Sequence, residues 1–440
     1  MVSDPSSVTV GIDAAVVANH RVVVRGSGGV EEKFSVPPTL AGLETLTERL
    51  SDYRGALTVA EPTAMSWLAL GHAVADAGCG FALVETRHTA KLRGAISGRN
   101  KTDDIDASML AASVDLFDLS AGELPGPDQV ALRRAVRRRH RITAEAHNGD
   151  VRLWALAVWA FPDVWQAMAE SHQLARMVLS HWPRLDQLAR ARTTSVAALC
   201  RNYLRNSGDH QTRAERIREA ARGWSRFWSG RVDLEALAWE VTEMLADLDI
   251  ADRKLEAANR HAAKLWRSAW GADELLRSVS GVGKVTAPVI RAYLGDASQF
   301  ATAKNAVAYV GLNPSNWESG LMTSPSRPIT KEGPPELRLA FYQAANVARR
   351  NDPQLAAFYH KMMCQRGHNH IGANCAVARK LVTRVWATLT SETPYELRDV
   401  DGNPLDKIEA RRQALTYAVP EHIRRRSRAR NKPRQGRLSG

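Results

Sequence analysis

Four cysteines in 440 residues, Cys79, Cys200, Cys364 and Cys375, are too few and too scattered for a disulfide framework. No apolar run reaches the roughly eighteen residues that a membrane-spanning helix needs. Nor does the N-terminus carry a basic segment leading into an apolar stretch. These absences lead us to expect a reduced, cytoplasmic protein without a membrane partner. Acidic residues are also in deficit: 47 Asp and Glu face 60 Lys and Arg, a net charge of +13. Such a surplus attracts a polyanion, with nucleic acid the first candidate and ordinary solubility charge the alternative.

What remains is a folding composition. Hydrophobic residues make up 44% and charged residues 24%, near the averages for globular domains. The length exceeds what one core usually serves, so two or three domains are expected. From Val8 to Asp13, Val8, Val10 and Ile12 alternate with Thr9, Gly11 and Asp13, and a second β-branched run, Val22 to Val24, follows a polar turn. The pair reads as a hairpin. Residues 40–50 have helical spacing, Leu57 to Ala60 read as a strand ending at Glu61, Ser66 to Ala77 as a helix and Phe81 to Val84 as a strand. This is an α/β domain over residues 1–120.

Beyond Asp106 β-branched runs become rare, and a helical region is expected over 121–274. Its last part places Leu234, Leu237, Val241, Met244, Leu248, Ala251, Leu255, Ala258, Ala262 and Leu265 three and four apart, a coiled-coil pattern. The seam could meet the helix around 128–158 of the same chain or a second subunit. A mostly helical third region follows over 275–397. The tail over 398–440 holds Arg424, Arg425, Arg426, Arg428, Arg430, Lys432, Arg434 and Arg437, a like-charge block expected to be disordered until it meets a phosphate backbone.

Several carboxylates fall at the ends of these elements. Asp13 ends the first strand, Glu61 ends another, and Asp103 and Asp106 stand on the first turn of a helix, about 60° apart around its axis, whereas Asp104 points about 100° away from Asp103. Four carboxylates brought together repel unless a divalent cation compensates them, and oxygen-only ligation selects Mg2+ or Mn2+ over zinc. Such a site suits phosphodiester cleavage. A cap explains the helical pair equally: Asp103 at the N-cap with Asp106 three residues on.

Basic side chains flank this set. Arg99 and Lys101 precede it, and Arg134, Arg137, Arg138 and Arg141 recur at helical spacing, as phosphate contacts or as a solvated face. In the third region Ser280-Gly281-Val282-Gly283-Lys284 reads as a turn between helices whose glycines either expose N–H groups to a phosphate or permit close helix packing. Farther on, Ser319 sits in a turn before Gly320; an exposed hydroxyl there is a nucleophile if a base or metal activates it, and otherwise a turn residue. Cys364, His368, His370 and Cys375 have the side chains for zinc, but their spacing matches no common finger.

Taken in order, Gly11-Ile12-Asp13, Ala60-Glu61-Pro62-Thr63, Arg99-Asn100-Lys101-Thr102-Asp103 with Asp106, Ser280-Gly281-Val282-Gly283, Tyr309-Val310-Gly311-Leu312, Glu318-Ser319-Gly320 and Ile329-Thr330-Lys331-Glu332-Gly333 resemble the DEDD transposases of insertion sequences, also called bridge-RNA-guided recombinases. Any one motif is weak; the ordered set, spanning residues 8 to about 390, is specific. The resemblance implies an N-terminal RuvC-like domain of RNase H fold, a helical coiled-coil middle and a mostly helical C-terminal transposase domain. Asp13, Glu61, Asp103 and Asp106 would be the metal ligands and Ser319 the nucleophile, forming a covalent phosphoserine link with DNA. Lys331 falls within a matching motif and Lys284 directly follows one; both are candidate nucleic-acid contacts.

The implied partners are donor and target DNA, a noncoding bridge RNA and further copies of the chain in a dimer or tetramer, associated with the nucleoid when on DNA. A helical, tryptophan-bearing insertion at about 160–231 and the arginine tail depart from compact members of the family. Without the serine, the same carboxylates would serve a junction nuclease using water. Without either chemistry the chain would be an inactive nucleic-acid-binding protein.

Overall fold

The computed structural model describes residues 8–62, 65–84, 86, 89, 92, 102–117, 119–169, 171–204, 208–314 and 328–431. It divides into two compact units, Met1–Val130 with Asp273–Gly440, and Ala131–Ala272.

The first unit begins with a mixed sheet of five strands, β1 (Thr9–Asp13), β2 (His20–Gly26), β3 (Gly29–Val36), β4 (Leu57–Ala60) and β5 (Gly80–Leu83), in the order β3-β2-β1-β4-β5. β1 pairs antiparallel with β2 and parallel with β4, so it lies at the centre, covered on both faces. Val10, Ile12 and Ala60 face a core shared with helix α1 (Leu40–Leu50) and helix α2 (Ser66–Asp76), where Leu46, Leu50 and Leu70 are fully buried. Gly11, Val59 and Ala82 share a row and, by the alternation of strand side chains, the opposite face. There Val59 and Ala82 pack with Leu110 of helix α3 (Asp103–Phe117).

The hairpin and the parallel strands form where the sequence pattern places them. β3 is an addition: Glu31, Glu32 and Lys33 break its alternation, which an edge strand with a solvated side allows.

The second unit is helical. Helix α4 (Pro127–Ala160), which crosses the unit boundary, is followed by α5 (Pro162–Met168), α6 (His172–His181), α7 (Leu185–Arg190), α8 (Thr193–Tyr203), α9 (His210–Trp228) and α10 (Leu234–Trp270). The tryptophan-bearing stretch thus forms five helices on a core shared with the end of α4, including Leu153, Leu156, Phe161, Met168, Leu174 and Leu188. Leu237, Val241, Leu245 and Leu248 carry the first half of α10 into that core. α10 meets α4 of the same chain: a Cβ on Gly149 would stand 2.7 Å from Leu248, and Arg139 donates to Asn259 at 2.5 Å. Arg176 ties both helices to α6 through Asp150 and Asp252.

The chain then returns to the first unit as α11 (Glu274–Ser278), α12 (Thr286–Leu294), α13 (Ala303–Val310), α14 (Pro335–Ala348), α15 (Pro353–His360), α16 (His370–Ser391), α17 (Lys407–Thr416) and α18 (Glu421–Asn431). Asp273 caps α11 and holds Arg291 through two contacts of 2.8 and 2.9 Å, both side chains almost fully buried. The expectation of disorder from residue 398 onward is corrected here as far as residue 431. α17 buries Ala410 and Ala414, and α18 is held by Ser427, which is 5% exposed and accepts from the His370 backbone N–H at 2.8 Å. Glu421 further offsets the charge block by pairing with Arg425 and Arg428. No described helix is long and apolar enough to cross a membrane.

Candidate active site

Strand register and strand alternation together place the first two carboxylates. Ile12 pairs with Ala60, so Asp13 and Glu61 follow at the same end of adjacent parallel strands. Asp13 shares the parity of Gly11, and Glu61 that of Val59, which directs both toward the face covered by α3.

α3 brings the other two to that end. Its docking depends on Gly11, where a Cβ would stand 2.0 Å from the carbonyl oxygen of Ala107 and 2.5 Å from the amide nitrogen of Ala111. Arg21, which lies opposite Asp13 in the register, reaches Asp104 at 3.5 Å; Arg25, opposite Thr9, lines a groove with Ser108, Met109 and Ala112. The helix therefore runs against the direction of β1, and its N-terminal turn stands over the C-terminal ends of β1 and β4. Asp106 is buried at 8% exposure, Asp103 is exposed, and Asp104 is drawn aside toward Arg21.

The capping explanation of this pair does not hold. Thr102 is the cap: its hydroxyl accepts from the Ile105 N–H at 3.3 Å, and its carbonyl accepts from the Asp106 N–H at 3.1 Å. Asp103 and Asp106 lie inside the first turn, where the helix dipole favours negative charge. Among the described residues no three His, Cys, Asp or Glu side chains form a ready-made metal cage. The four carboxylates share one end of the sheet without closing on one another. An all-oxygen donor set with one member buried still fits a hard divalent cation by its chemistry.

Two neighbours escaped the sequence reading. Thr89, 2% exposed, hydrogen-bonds the Glu61 carboxylate and also lies 2.9 Å from the Thr86 carbonyl oxygen. His20, 3% exposed, accepts the Ala15 N–H at 3.1 Å on Nδ1, fixing the chain just after Asp13; burial lowers its pKa. Neither has a motif to announce it. Arg25 and Lys33 were legible in principle, since they share the strand parity of Asp13.

Arg99 and Lys101 lie outside the described residues. Arg134, Arg138 and Arg141 are exposed on one face of α4, with Arg137 half-buried beside them. Gly281 belongs to packing: its φ is +86° and a Cβ there would stand 2.2 Å from the Ala344 carbonyl oxygen. The Gly283 N–H is taken by the Thr286 hydroxyl at 2.9 Å, and Lys284 stands exposed beside it.

Ser319 also lies outside the described residues, but both ends of its segment lie within them. Pro314 and Ile329 form an antiparallel bridge, and Thr330 and Lys331 donate to the carbonyls of Asn313 and Gly311 at 2.8 and 3.1 Å. Gly311 and Gly333, both at positive φ, let the two chains approach: added Cβ atoms would meet the carbonyl oxygens of Glu332 at 1.7 Å and Tyr309 at 1.8 Å. Lys331 is exposed, with φ of 57°. His370 Nδ1 is 2.8 Å from the Tyr359 hydroxyl, and no group of three possible metal ligands is found around Cys364 and Cys375 among the described residues.

A five-stranded mixed sheet with carboxylates at adjacent strand ends is compatible with an RNase H-like domain of the DEDD type, a class that implies chemistry dependent on a divalent metal. Residues 10–162 match a family model described as a transposase, the DEDD domain of the IS110 type, and residues 273–360 match the transposase IS116/IS110/IS902 family. The chain belongs to that family of transposases.

The chain is 24% identical over 396 residues to the insertion element IS110 uncharacterized 43.6 kDa protein of Streptomyces coelicolor, covering 89% of this chain and 96% of that one. To the insertion element IS116 uncharacterized 44.8 kDa protein of Streptomyces clavuligerus it is 26% identical over 86% of this chain and 94% of that one. It is also 31% identical over 124 residues to the pilin gene-inverting protein of Moraxella lacunata, a match covering 28% of this chain. Only 38% of the length of that pilin gene-inverting relative is covered.

Proposed function

We propose that this chain is a DNA recombinase that excises and inserts its own mobile element. The observation that supports the reading is that Asp13 and Glu61 stand at the same end of adjacent parallel strands, while Asp103 and Asp106 open the helix that Gly11 admits against β1. Asp13, Glu61, Asp103 and Asp106 would hold Mg2+ or Mn2+. When bound, that ion supplies electrostatic stabilisation to the oxygens of the reacting phosphate. Thr89 orients Glu61, His20 fixes the backbone beyond Asp13, and Arg21 draws Asp104 away from the set.

Ser319 is the proposed nucleophile. Its hydroxyl oxygen would bond the scissile phosphorus and lose its proton while the phosphodiester P–O bond breaks, the departing strand taking up a proton as a free hydroxyl. Reversal with a hydroxyl from another strand would rejoin DNA and restore the serine. The residues on either side of the 315–327 segment are paired with each other, Pro314 with Ile329. The gene-inverting name of the Moraxella relative accords with cutting and rejoining. A noncoding bridge RNA would select donor and target DNA by base pairing, leaving backbone contacts to the protein. Working copies would assemble as a dimer or tetramer.

The test is recombination by the full chain on DNA carrying the ends of its element. Asp103→Asn and Asp106→Asn should each abolish it, and Ser319→Ala should abolish a DNA-linked protein adduct while nucleic-acid binding persists. Full activity in excess chelator would overturn the carboxylate assignment. Free DNA ends with no protein link would replace the serine by water.

A further inference from the structure

The C-terminal arginine block, once folded, is not an isolated tail. α18 docks on the N-terminal end of α16 through Ser427, and Arg430 reaches the Gly367 carbonyl at 3.2 Å. Successive helical residues are about 100° apart, so Arg424 and Arg426 emerge on opposite flanks of the buried Ser427 seam. The Arg426 guanidinium lies close to Gly367, 3.9 Å from a Cβ built there. Arg424 leaves the other flank and is near enough for its charge to act on Arg349, which lies over the Tyr359 ring at 4.3 Å.

The cations here are crowded. Burial depresses the pKa of Arg349, and the neighbouring charges of Arg350 and Arg424 depress it further. His370 is lowered by burial and then by Arg349 and Arg350. Glu421 on α18 is engaged with Arg425 and Arg428 on another side of the helix. Arg350, Arg424 and Arg426 are exposed and enter no ion pair among the described residues. Gathering like charges costs energy in the free protein, and a polyanion laid across them offsets that cost while releasing its counterions.

We propose that Arg349, Arg350, Arg424 and Arg426, assembled by the docking of α18 on α16, form a platform for the phosphodiester backbone of duplex DNA. The choice of DNA as occupant rests on the recombinase reading; the platform itself rests on the geometry. No base is read there, so binding is indifferent to sequence. Arg349 and Arg350 lie within the stretch matched by the transposase family model, whereas Arg424 and Arg426 lie beyond it.

The experiment is fluorescence anisotropy of the full chain on a random-sequence DNA duplex and on an RNA duplex of the same sequence, over a range of KCl. The double variant Arg424→Gln/Arg426→Gln keeps helix-forming side chains at exposed positions. It should weaken DNA binding roughly tenfold and lower the slope of log affinity against log salt by about two, one for each lost phosphate contact. Arg350→Gln should lower the slope by about one. Ser427→Ala, which frees α18 without touching charge, should reduce affinity in the same direction. Unchanged affinity and slope in the double and Arg350 variants would overturn the platform, and a loss confined to RNA would overturn DNA as its occupant. If Asp106→Asn still recombines while the double variant loses DNA affinity, the recombinase chemistry fails and the platform stands.

Discussion

Gly11 and Ala107 touch so closely that the strand has no room for a Cβ, which would stand 2.0 Å from the Ala107 carbonyl oxygen. The obstacle is backbone on both sides, so no side-chain rotation relieves it. This contact sets the height of α3 above β1, and with it the separation of Asp103 and Asp106 from Asp13 and Glu61. A glycine two residues before Asp13, a proposed metal ligand, is therefore part of the candidate site's construction.

Gly11→Ala should destabilise the N-terminal domain by about 1–3 kcal/mol, the usual cost of overpacking. It should also abolish recombination even where the protein remains folded, because α3 must lift. Thermal melting and strand-cleavage assays on one preparation check this. A variant with normal melting and normal cleavage would show that α3 does not depend on the close approach.

Thr89 presents a separable case. Its hydroxyl holds the Glu61 carboxylate at a buried position, and loss of such a bond costs about 1–3 kcal/mol. Thr89→Val keeps the shape and removes the bond, while Thr89→Ser keeps the hydroxyl. We expect the valine variant to bind Mn2+ more weakly in direct titration and the serine variant to match the parent. Equal weakening in both would assign Thr89 to packing.

What the sequence reveals and conceals follows from the range of each interaction. β1, β4 and the carboxylates were legible because strand parity and helical spacing are local properties, and Asp13, Glu61, Asp103 and Asp106 stand at element ends. Asp103 and Asp106 were open to a capping role until Thr102 took it, a matter of one residue at a helix start. Thr89 and His20 were invisible because their partners are fixed by the fold or by loop geometry that no pattern encodes. The order of α18 was concealed for the opposite reason: composition dominated by arginine argues for disorder, and the long-range contacts of Ser427 with His370 and of Arg430 with Gly367 reverse it.

His20 gives the protein a pH dependence of definite sign. An unfolded chain protonates this histidine near pH 6.5, whereas burial lowers its pKa in the fold, where neutral Nδ1 must accept from Ala15. The unfolded state thus binds more protons on acidification, and stability present above the unfolded pKa is lost as pH falls toward the folded value. His370, lowered by burial and by Arg349 and Arg350, contributes with the same sign. His20→Asn supplies a non-titrating acceptor, so its melting temperature should fall less steeply than the parent's between about pH 7 and 5. Parallel slopes would remove His20 from the account.

The base of the Ser319 segment permits a test that separates binding from chemistry. Gly311 has a φ of +73°, and a Cβ there would meet the Glu332 carbonyl oxygen at 1.7 Å. Gly311→Ala therefore carries both a conformational penalty and a backbone clash, and the bridge between Pro314 and Ile329 should open. The described residues flanking the serine segment would then lose their pairing. We expect the variant to lose the DNA-linked adduct while keeping its affinity for a DNA duplex, because the arginines of α18 and the carboxylates of the N-terminal sheet lie elsewhere in the chain. Adduct formation at the parental rate would mean that Ser319 is positioned without this base.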